Sequence, residues 1–410
     1  MKDRAILHSD ANCFYASVET VLNPEYRGKA IAVCGSPEER HGIVLAKSEK
    51  AKCAGVKTGM ANWQAKECCP DLIIVSPQYD YYLKFSKLLH GIYQRYTDQV
   101  EPFGMDECWL DVTHSPGDPM QIAEEIRQAV KDELGLTVSI GVSFNKVFAK
   151  LGSDYKKPDA ITQITKENFR DIVWPLHCSE MLYCGSATAA KLNSFGVTTI
   201  GGIASLPVEL MQRRFGKNGV ALWKYANGLD DSRVAHQDYI APAKSVGHGI
   251  TCIADLENMN EARKVIFALS LDIGYKLRYM NLRATGVQLY VRDSSLIFSS
   301  WQKQLEVATQ DESAIAMAAY SLLEEKYSWR TPIRAITVTA IRLDSSQNPT
   351  QLCLLHDYRR HERREKLNQS LDTIRDRYGK YAVIPALVLD EKKMPGGSDR
   401  ELIMPGYMYQ

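Results

Sequence analysis

Three carboxylates stand where a chain of this pattern can do chemistry. Asp10 closes the apolar run Ala5-Ile6-Leu7-His8-Ser9, and the pair Asp106-Glu107 lies beside a bend at Gly104-Met105. Strand ends are where α/β folds meet their ligands. A bend also lets adjacent side chains converge, whereas a straight strand sends them to opposite faces. Carboxylates from two neighbouring strands make a hard-oxygen set suited to Mg²⁺. Two such ions about 3.5–4 Å apart activate an attacking oxygen and stabilise a leaving one in phosphoryl transfer. The plain alternative is that Asp10 caps a helix and Asp106-Glu107 is a solvated turn.

The elements that must position these groups follow from periodicity. A strand leads to Asp10, and Asn12 to Leu22 reads as a helix with Phe14, Val18 and Leu22 on one face, stopped at Asn23-Pro24. Short strands are expected at Ala30–Val33, Ile43–Leu45 and Leu72–Val75, with short helices at Glu49–Ala54 and Ala61–Cys68. Tyr81 to Tyr96 reads as an amphipathic helix and Val100 to Val112 as strand-turn-strand. A helix at Pro119–Leu134 and a strand at Leu136–Val142 follow, then a basic loop at Lys156-Lys157-Pro158. Up to Val142 the alternation is mixed α/β. Lys166 to Asp230 reads as helices with short turns, and Arg233 to Ala243 as an aperiodic linker. Lys244 to Asp344 alternates strand and helix again, and a charge-rich helix, read as a solvated face, spans Tyr358 to Tyr378.

With 410 residues the chain is expected to form two to four domains. Its 45% hydrophobic and 24% charged content is that of an ordinary soluble protein, and no apolar run reaches the ~18 residues a bilayer demands. Met1-Lys2-Asp3-Arg4 does not read as a secretory signal. The ten cysteines form no CxxC pair, which argues against a zinc ribbon and for reduced thiols in a cytoplasm. A net charge of +1 does not by itself point to nucleic acid, so any positive surface must be local.

Three stretches carry a specific resemblance. Asp10-Ala11-Asn12-Cys13-Phe14-Tyr15-Ala16-Ser17-Val18-Glu19 closely resembles the opening motif of the Y-family DNA polymerases, the lesion-bypassing kind found in bacteria. Glu101 to Thr113 resembles their second carboxylate motif, and Ser139 to Leu151, running on to Lys157-Pro158, a third. The resemblance runs to about residue 345 and more loosely beyond. It implies an α/β (α+β) multidomain right-hand polymerase: a ferredoxin-like palm (1–12 and 76–165), small fingers (13–75), a helical thumb with a helix-hairpin-helix (166–232), a linker (233–243), an α/β little finger (244–345) and a tail (346–410).

For the site, the resemblance implies that Asp10, Asp106, Glu107 and the backbone carbonyl of Ala11 hold two Mg²⁺ ions. The primer 3′-oxygen would attack the α-phosphate of a deoxynucleoside triphosphate, with pyrophosphate leaving. Cys13, Phe14 and Tyr15 would surround the nucleotide, Tyr15 as the steric gate against a 2′-hydroxyl and Phe14 as its support. Ile43 and Leu45 would roof the nascent base pair, and Lys157 would meet the triphosphate. Two departures stand out. Gly104-Met105 replaces the family's usual Ser-Ile, and Glu49 and Lys52 stand where many relatives carry Tyr and Arg. Lys52 lacks the guanidinium fork, and Lys47 and Lys50 are candidates to compensate for Glu49.

For partners, Gly185 to Leu192 with Phe195-Gly196-Val197 resembles a helix-hairpin-helix that holds primer-template DNA by its phosphates, with Lys191 in reach and Tyr183 in place of a hairpin glycine. Lys244 opens the little finger, where Arg278, Arg283, Arg292, Arg330 and Arg334 are candidate phosphate contacts. Gln351, Leu352, Leu354 and Leu355 resemble the peptide by which bacterial polymerases dock on the sliding clamp. A monomer is expected. The rivals are a non-catalytic relative that docks on DNA and clamp, and another metal enzyme on a similar palm, such as a nucleotide cyclase.

Overall fold

The computed structural model describes residues 4–38, 40, 42–349, 358–389 and 393–394. The clamp-like peptide Gln351–Leu355 lies outside the described residues. The described residues of 1–34 and 44–241 form one compact unit, and those of 35–43 and 242–409 form a second.

In the first unit β1 (Ile6–Ala11) is buried along its whole length. That follows from its place in the middle of a five-stranded sheet, where His8 meets Ser153 and its chain neighbour Ser9, on the other face, meets Tyr93. α1 (Phe14–Leu22) begins two residues later than its periodicity suggests, because Cys13 takes a left-handed conformation with φ 50°. β2 (Ile31–Cys34), β3 (Val44–Lys47) and β4 (Ile73–Val75) make a small sheet in the order β3-β2-β4. α2 (Glu49–Cys53), capped by Ser48, and α3 (Asn62–Cys68) accompany it. α4 (Tyr79–Tyr93) follows, and then the hairpin of β5 (Val100–Pro102) and β6 (Glu107–Asp111).

α5 (Pro119–Leu134) shows why its sequence is helical. Asp118 accepts hydrogen bonds from Met120 and Gln121 at the N-terminus, and Gly135 closes the helix in a left-handed conformation. Ile122, Ile126, Val130 and Leu134 form its buried stripe. β7 (Val138–Ser143) then pairs antiparallel with β1.

Two elements were not anticipated: α6 (Lys146–Tyr155) and β8 (Ile161–Ile164), which pairs parallel with β7. By sequence the motif around Lys146 leads only into a basic loop. Asn145 instead caps a helix, accepting from Phe148 N at 2.7 Å. That helix lies against the sheet at the closest backbone approach. A Cβ on Gly141 would stand 1.9 Å from the Ala149 carbonyl oxygen, so only glycine fits there. The large sheet thus runs β5-β6-β1-β7-β8.

The helical part comprises α7 (Phe169–Val173), α8 (Ser186–Asn193), α9 (Ile200–Ala204) and α10 (Val208–Ala226), around a core that includes Leu192, Ile200, Ile203, Met211 and Leu222. The following segment is not a free linker at its start. Val234 is buried, and Ala235 N donates to Glu101 Oε2 at 2.8 Å, so the chain stays on the first unit.

Among the described residues, the second unit has four long strands in the order β11-β10-β12-β9. They are β9 (Ser245–Leu256), β10 (Leu282–Asp293), β11 (Phe298–Thr309) and β12 (Ile333–Ser345). α11 (Met259–Tyr279) and α12 (Glu312–Lys326) pack on the sheet through Val265, Leu269, Ile273, Ile315, Ala319 and Leu323. α13 (Tyr358–Tyr378) corrects an expectation, because it is not wholly a solvated helix. Asn368 and Asp372 are buried. Asp372 takes two hydrogen bonds from Arg278, at 2.5 and 3.0 Å, and Arg278 also pairs with Glu312 at 2.9 Å. Hydrophobic periodicity missed this docking because polar groups make it.

Candidate active site

The sheet register brings the carboxylates together. Asp10 pairs with Glu107 on one side and with Ser139 on the other. Ala11 N donates to the Asp106 carbonyl at 2.9 Å, which ties the end of β1 to the bend before β6. Asn12 reinforces the corner, donating to Ser139 Oγ and accepting from Asp159 N, each at 2.9 Å. Gly104, at φ 123°, makes the bend, and a Cβ there would sit 3.7 Å from Asp106 Oδ1.

Two lysines reach into this cluster. Lys157 Nζ lies 2.7 Å from Asp10 Oδ2 and 2.7 Å from Asp154 Oδ1. Lys150 Nζ lies 3.1 Å from Asp10 Oδ2, 2.8 Å from Glu107 Oε2 and 3.2 Å from Asp154 Oδ2. Lys150 and Asp154 are one turn apart on α6 and so share a face. Burial opposes the charge on Lys150, but Asp10, Glu107 and Asp154 together hold its pKa above the ordinary lysine value. Behind Glu107, His8 Nε2 stands 3.4 Å from Oε2, with its Nδ1 at 2.9 Å from Ser153 Oγ. Burial, aided by Lys150, keeps that imidazole neutral.

Asp106 is different. Burial and the charges of Asp10 and Glu107 push its carboxyl up to about 7, with Lys150 pulling the other way. The three carboxylates crowd one another and draw in ammonium groups as counter-charges; their hard oxygens are of the type a divalent cation takes, although among the described residues no three such side chains converge as a ready metal cage.

Beside the cluster lies an aromatic stack. The Tyr15 ring lies on Tyr82, centroids 4.3 Å apart and 13° from parallel, with Tyr79 edge-on at 6.0 Å and Phe14 at 5.7 Å. The Tyr15 hydroxyl donates to Met105 Sδ at 3.5 Å. Tyr82 donates to Glu19 Oε1 at 2.6 Å, and Gln78 Nε2 donates to Glu19 Oε2 at 2.9 Å.

The remaining predicted residues divide. Leu45 sits on β3, and Ile43 is 44% exposed. Glu49 turns toward Cys13, accepting from its Sγ at 3.3 Å, and pairs with Lys52 at 3.4 Å. Lys47 donates to Thr58 and Lys50 to the Gly28 carbonyl. Gly185 caps α8, and Lys191, which is exposed, donates to the Arg214 carbonyl at 2.7 Å and lies over the Phe215 ring. Tyr183 takes the left-handed conformation, φ 66°, that a glycine there would adopt without strain. Lys244 and Arg330 are exposed. Arg283 is buried and donates to the carbonyls of Ser345 and Asn348, and the half-buried Arg278 is spent on Glu312 and Asp372, so neither is a surface phosphate contact. Lys150, Asp154, His8 and Tyr82 were missed as site residues. The one signal was the spacing Lys150, Asp154, Lys157, readable only once α6 is known to be a helix.

Residues 9–154 match the impB/mucB/samB family, and residues 243–354 match that family's C-terminal domain. The chain is 45% identical to a DNA polymerase IV of Acetivibrio thermocellus over 95% of its own length and 98% of the relative's. It is 34% identical to a DNA polymerase IV of Bacillus velezensis, over 97% and 96%. Among solved structures, a chimeric Y-family DNA polymerase superposes with a TM-score of 0.73 at 24% identity, covering 82% of this chain and 98% of that one. The fold is that of the Y-family polymerases. The chain belongs to the impB/mucB/samB family of Y-family DNA polymerases. Among the described residues, no helix is long and apolar enough to cross a membrane.

Proposed function

We propose that this translesion DNA polymerase extends a primer on damaged template DNA with low fidelity, using Asp10, Asp106 and Glu107 as its catalytic carboxylates. The observation that carries the assignment is the register Asp10↔Glu107, with Asp106 tied to Ala11, which gathers all three at one end of the central sheet. Asp10, Asp106, Glu107 and the Ala11 carbonyl would hold two Mg²⁺ ions, which supply Lewis acidity to the attacking oxygen and charge neutralisation to the leaving pyrophosphate. The chain's own residues do the rest. Lys157, on its loop after α6, grips triphosphate oxygens as a point charge. Lys150 holds Asp10 and Glu107 in place and offsets their repulsion. Tyr15, backed by Tyr82, closes the sugar side of the site. Ile43 and Leu45 meet the base pair with apolar surface and so read its shape loosely.

In domain terms, residues 1–12 and 76–165 are the palm, 13–75 the fingers, 166–232 the thumb and 244–345 the little finger. Gly185 and Lys244 lie on the DNA path, and the peptide Gln351–Leu355 docks on the sliding clamp. The protein acts as a cytoplasmic monomer.

Primer extension on an undamaged template with Mg²⁺ and four deoxynucleotides tests the core of this reading. Wild type extends, and Asp106→Ala drops activity by at least ~10³-fold. No extension by a wild-type protein that binds DNA would favour the non-catalytic alternative. Tyr15→Ala retains extension and incorporates ribonucleotides more readily. An unchanged sugar preference would remove Tyr15 from its role.

A further inference from the structure

The Tyr15 ring is held at three places. Its face lies on Tyr82 at 4.3 Å, its edge meets Tyr79, and its hydroxyl reaches Met105 Sδ at 3.5 Å. The floor of the stack is itself anchored, because the Tyr82 hydroxyl donates to the fully buried Glu19. Stacking fixes the plane of a ring but leaves it free to slide and turn within that plane. At the hydroxyl end the contact that opposes such motion is Met105. That residue is 2% exposed and sits between the bend at Gly104 and the carboxylate of Asp106.

A phenol has one proton to donate, and a thioether sulfur is a weak acceptor with no proton of its own. While the Tyr15 proton points at Met105 it is not offered to a sugar lying over the ring. A branched apolar residue such as Ile or Leu at position 105 would fill the space but accept nothing. The phenolic proton would then be free to meet a ribose 2′-hydroxyl, and that hydrogen bond would offset part of the steric clash.

We propose that Met105 is a positioning residue for sugar selection: its sulfur holds the Tyr15 hydroxyl away from the nucleotide and ties the gate to the hairpin that bears Asp106 and Glu107. This inference rests on the polymerase reading above and on Tyr15 as the gate.

The test is single-nucleotide insertion of a matched deoxynucleotide and its ribonucleotide by wild type, Met105→Leu, Tyr15→Phe and the double variant. Met105→Leu is expected to lower the deoxy-over-ribo ratio of kcat/KM by about three- to tenfold, the range one weak hydrogen bond carries. The change should lie in KM for the ribonucleotide, with deoxynucleotide kcat retained. In the Tyr15→Phe background, which keeps the ring and removes the proton, Met105→Leu should change the ratio by less than about twofold. Met105→Ile serves as a second apolar replacement and is expected to behave as Met105→Leu does. A wild-type ratio in both single Met105 variants would overturn the inference, as would an equal drop in the presence and absence of the Tyr15 hydroxyl. Either result leaves the polymerase reading standing. Failure of wild type to insert deoxynucleotides would instead remove the polymerase reading itself.

Discussion

Glu49 and Lys52 were expected beside the triphosphate, and the geometry shows where the acidic charge goes. Glu49 accepts from the Cys13 thiol and from Lys52, so each charge is partly spent on the other. Burial and that carboxylate push the Cys13 thiol up to about 12, so it stays protonated and donates. Lys47 donates to Thr58 and Lys50 to the Gly28 carbonyl, neutral partners that leave both ammonium charges in place. Glu49→Gln should therefore release Lys52 and lower KM for the deoxynucleotide by up to about fivefold at low ionic strength, with kcat unchanged. The limit is set by the small worth of an exposed ion pair. Steady-state insertion at two salt concentrations measures it, and an unmoved KM would assign the triphosphate grip to Lys157 without Lys52. At this scale Asp10, Asp106 and Glu107 stand out in the sequence because their neighbours form specific motifs, and the register brings Asp10 opposite Glu107. Lys150 lies inside the third motif, but sequence alone shows no role for it, because its partners Asp10 and Glu107 are about 40 to 140 residues away.

Among elements, α6 and α13 are the instructive cases. α6 was hidden by its glycine and polar residues, which are there for packing: Gly141 and Gly152 let the helix backbone approach the sheet closely enough for Lys150 to reach the carboxylates. α13 has a polar sequence that reads as solvent-facing, yet its Asn368 and Asp372 dock on α11 and α12 around Arg278. Replacing one partner of a buried ion pair leaves the others uncompensated and costs about 3–5 kcal/mol. Arg278→Leu should thus destabilise the second unit by that order, since Glu312 would lose its cation and Asp372 would keep only the longer pairing with Arg375 at 3.7 Å. Chemical denaturation followed by helical signal reads the loss. A change below about 1 kcal/mol would mean that α13 contributes little to that unit's stability. Other elements were readable from period and caps alone, as in α5 with Asp118 at one end and Gly135 at the other.

For the whole molecule, a net charge of +1 says little about affinity for nucleic acid. Binding to DNA phosphates depends on local lysines and arginines and releases counterions, so it weakens steeply with salt whatever the total charge. Primer-template affinity should fall with a log–log salt slope of about −0.9 per duplex phosphate contacted. Fluorescence anisotropy from low to physiological salt checks this, and a flat profile would count against a phosphate-tracking surface. Identity and the order of parts were written locally in the chain. The carboxylate motifs, the apolar strand before Asp10 and the two α/β regions flanking a helical one all follow from short-range pattern. Partnerships were decided only in three dimensions. Glu49 turning to Cys13, Lys150 closing on Asp10 and Glu107, Met105 meeting Tyr15, the pairing of Arg278 with Glu312 and Asp372, and the burial of Arg283 each join residues that period and propensity treat as independent. Hydrophobic patterning specifies which face of an element is buried, whereas the pairing of polar groups across elements depends on register and close approach, which the folded chain alone sets.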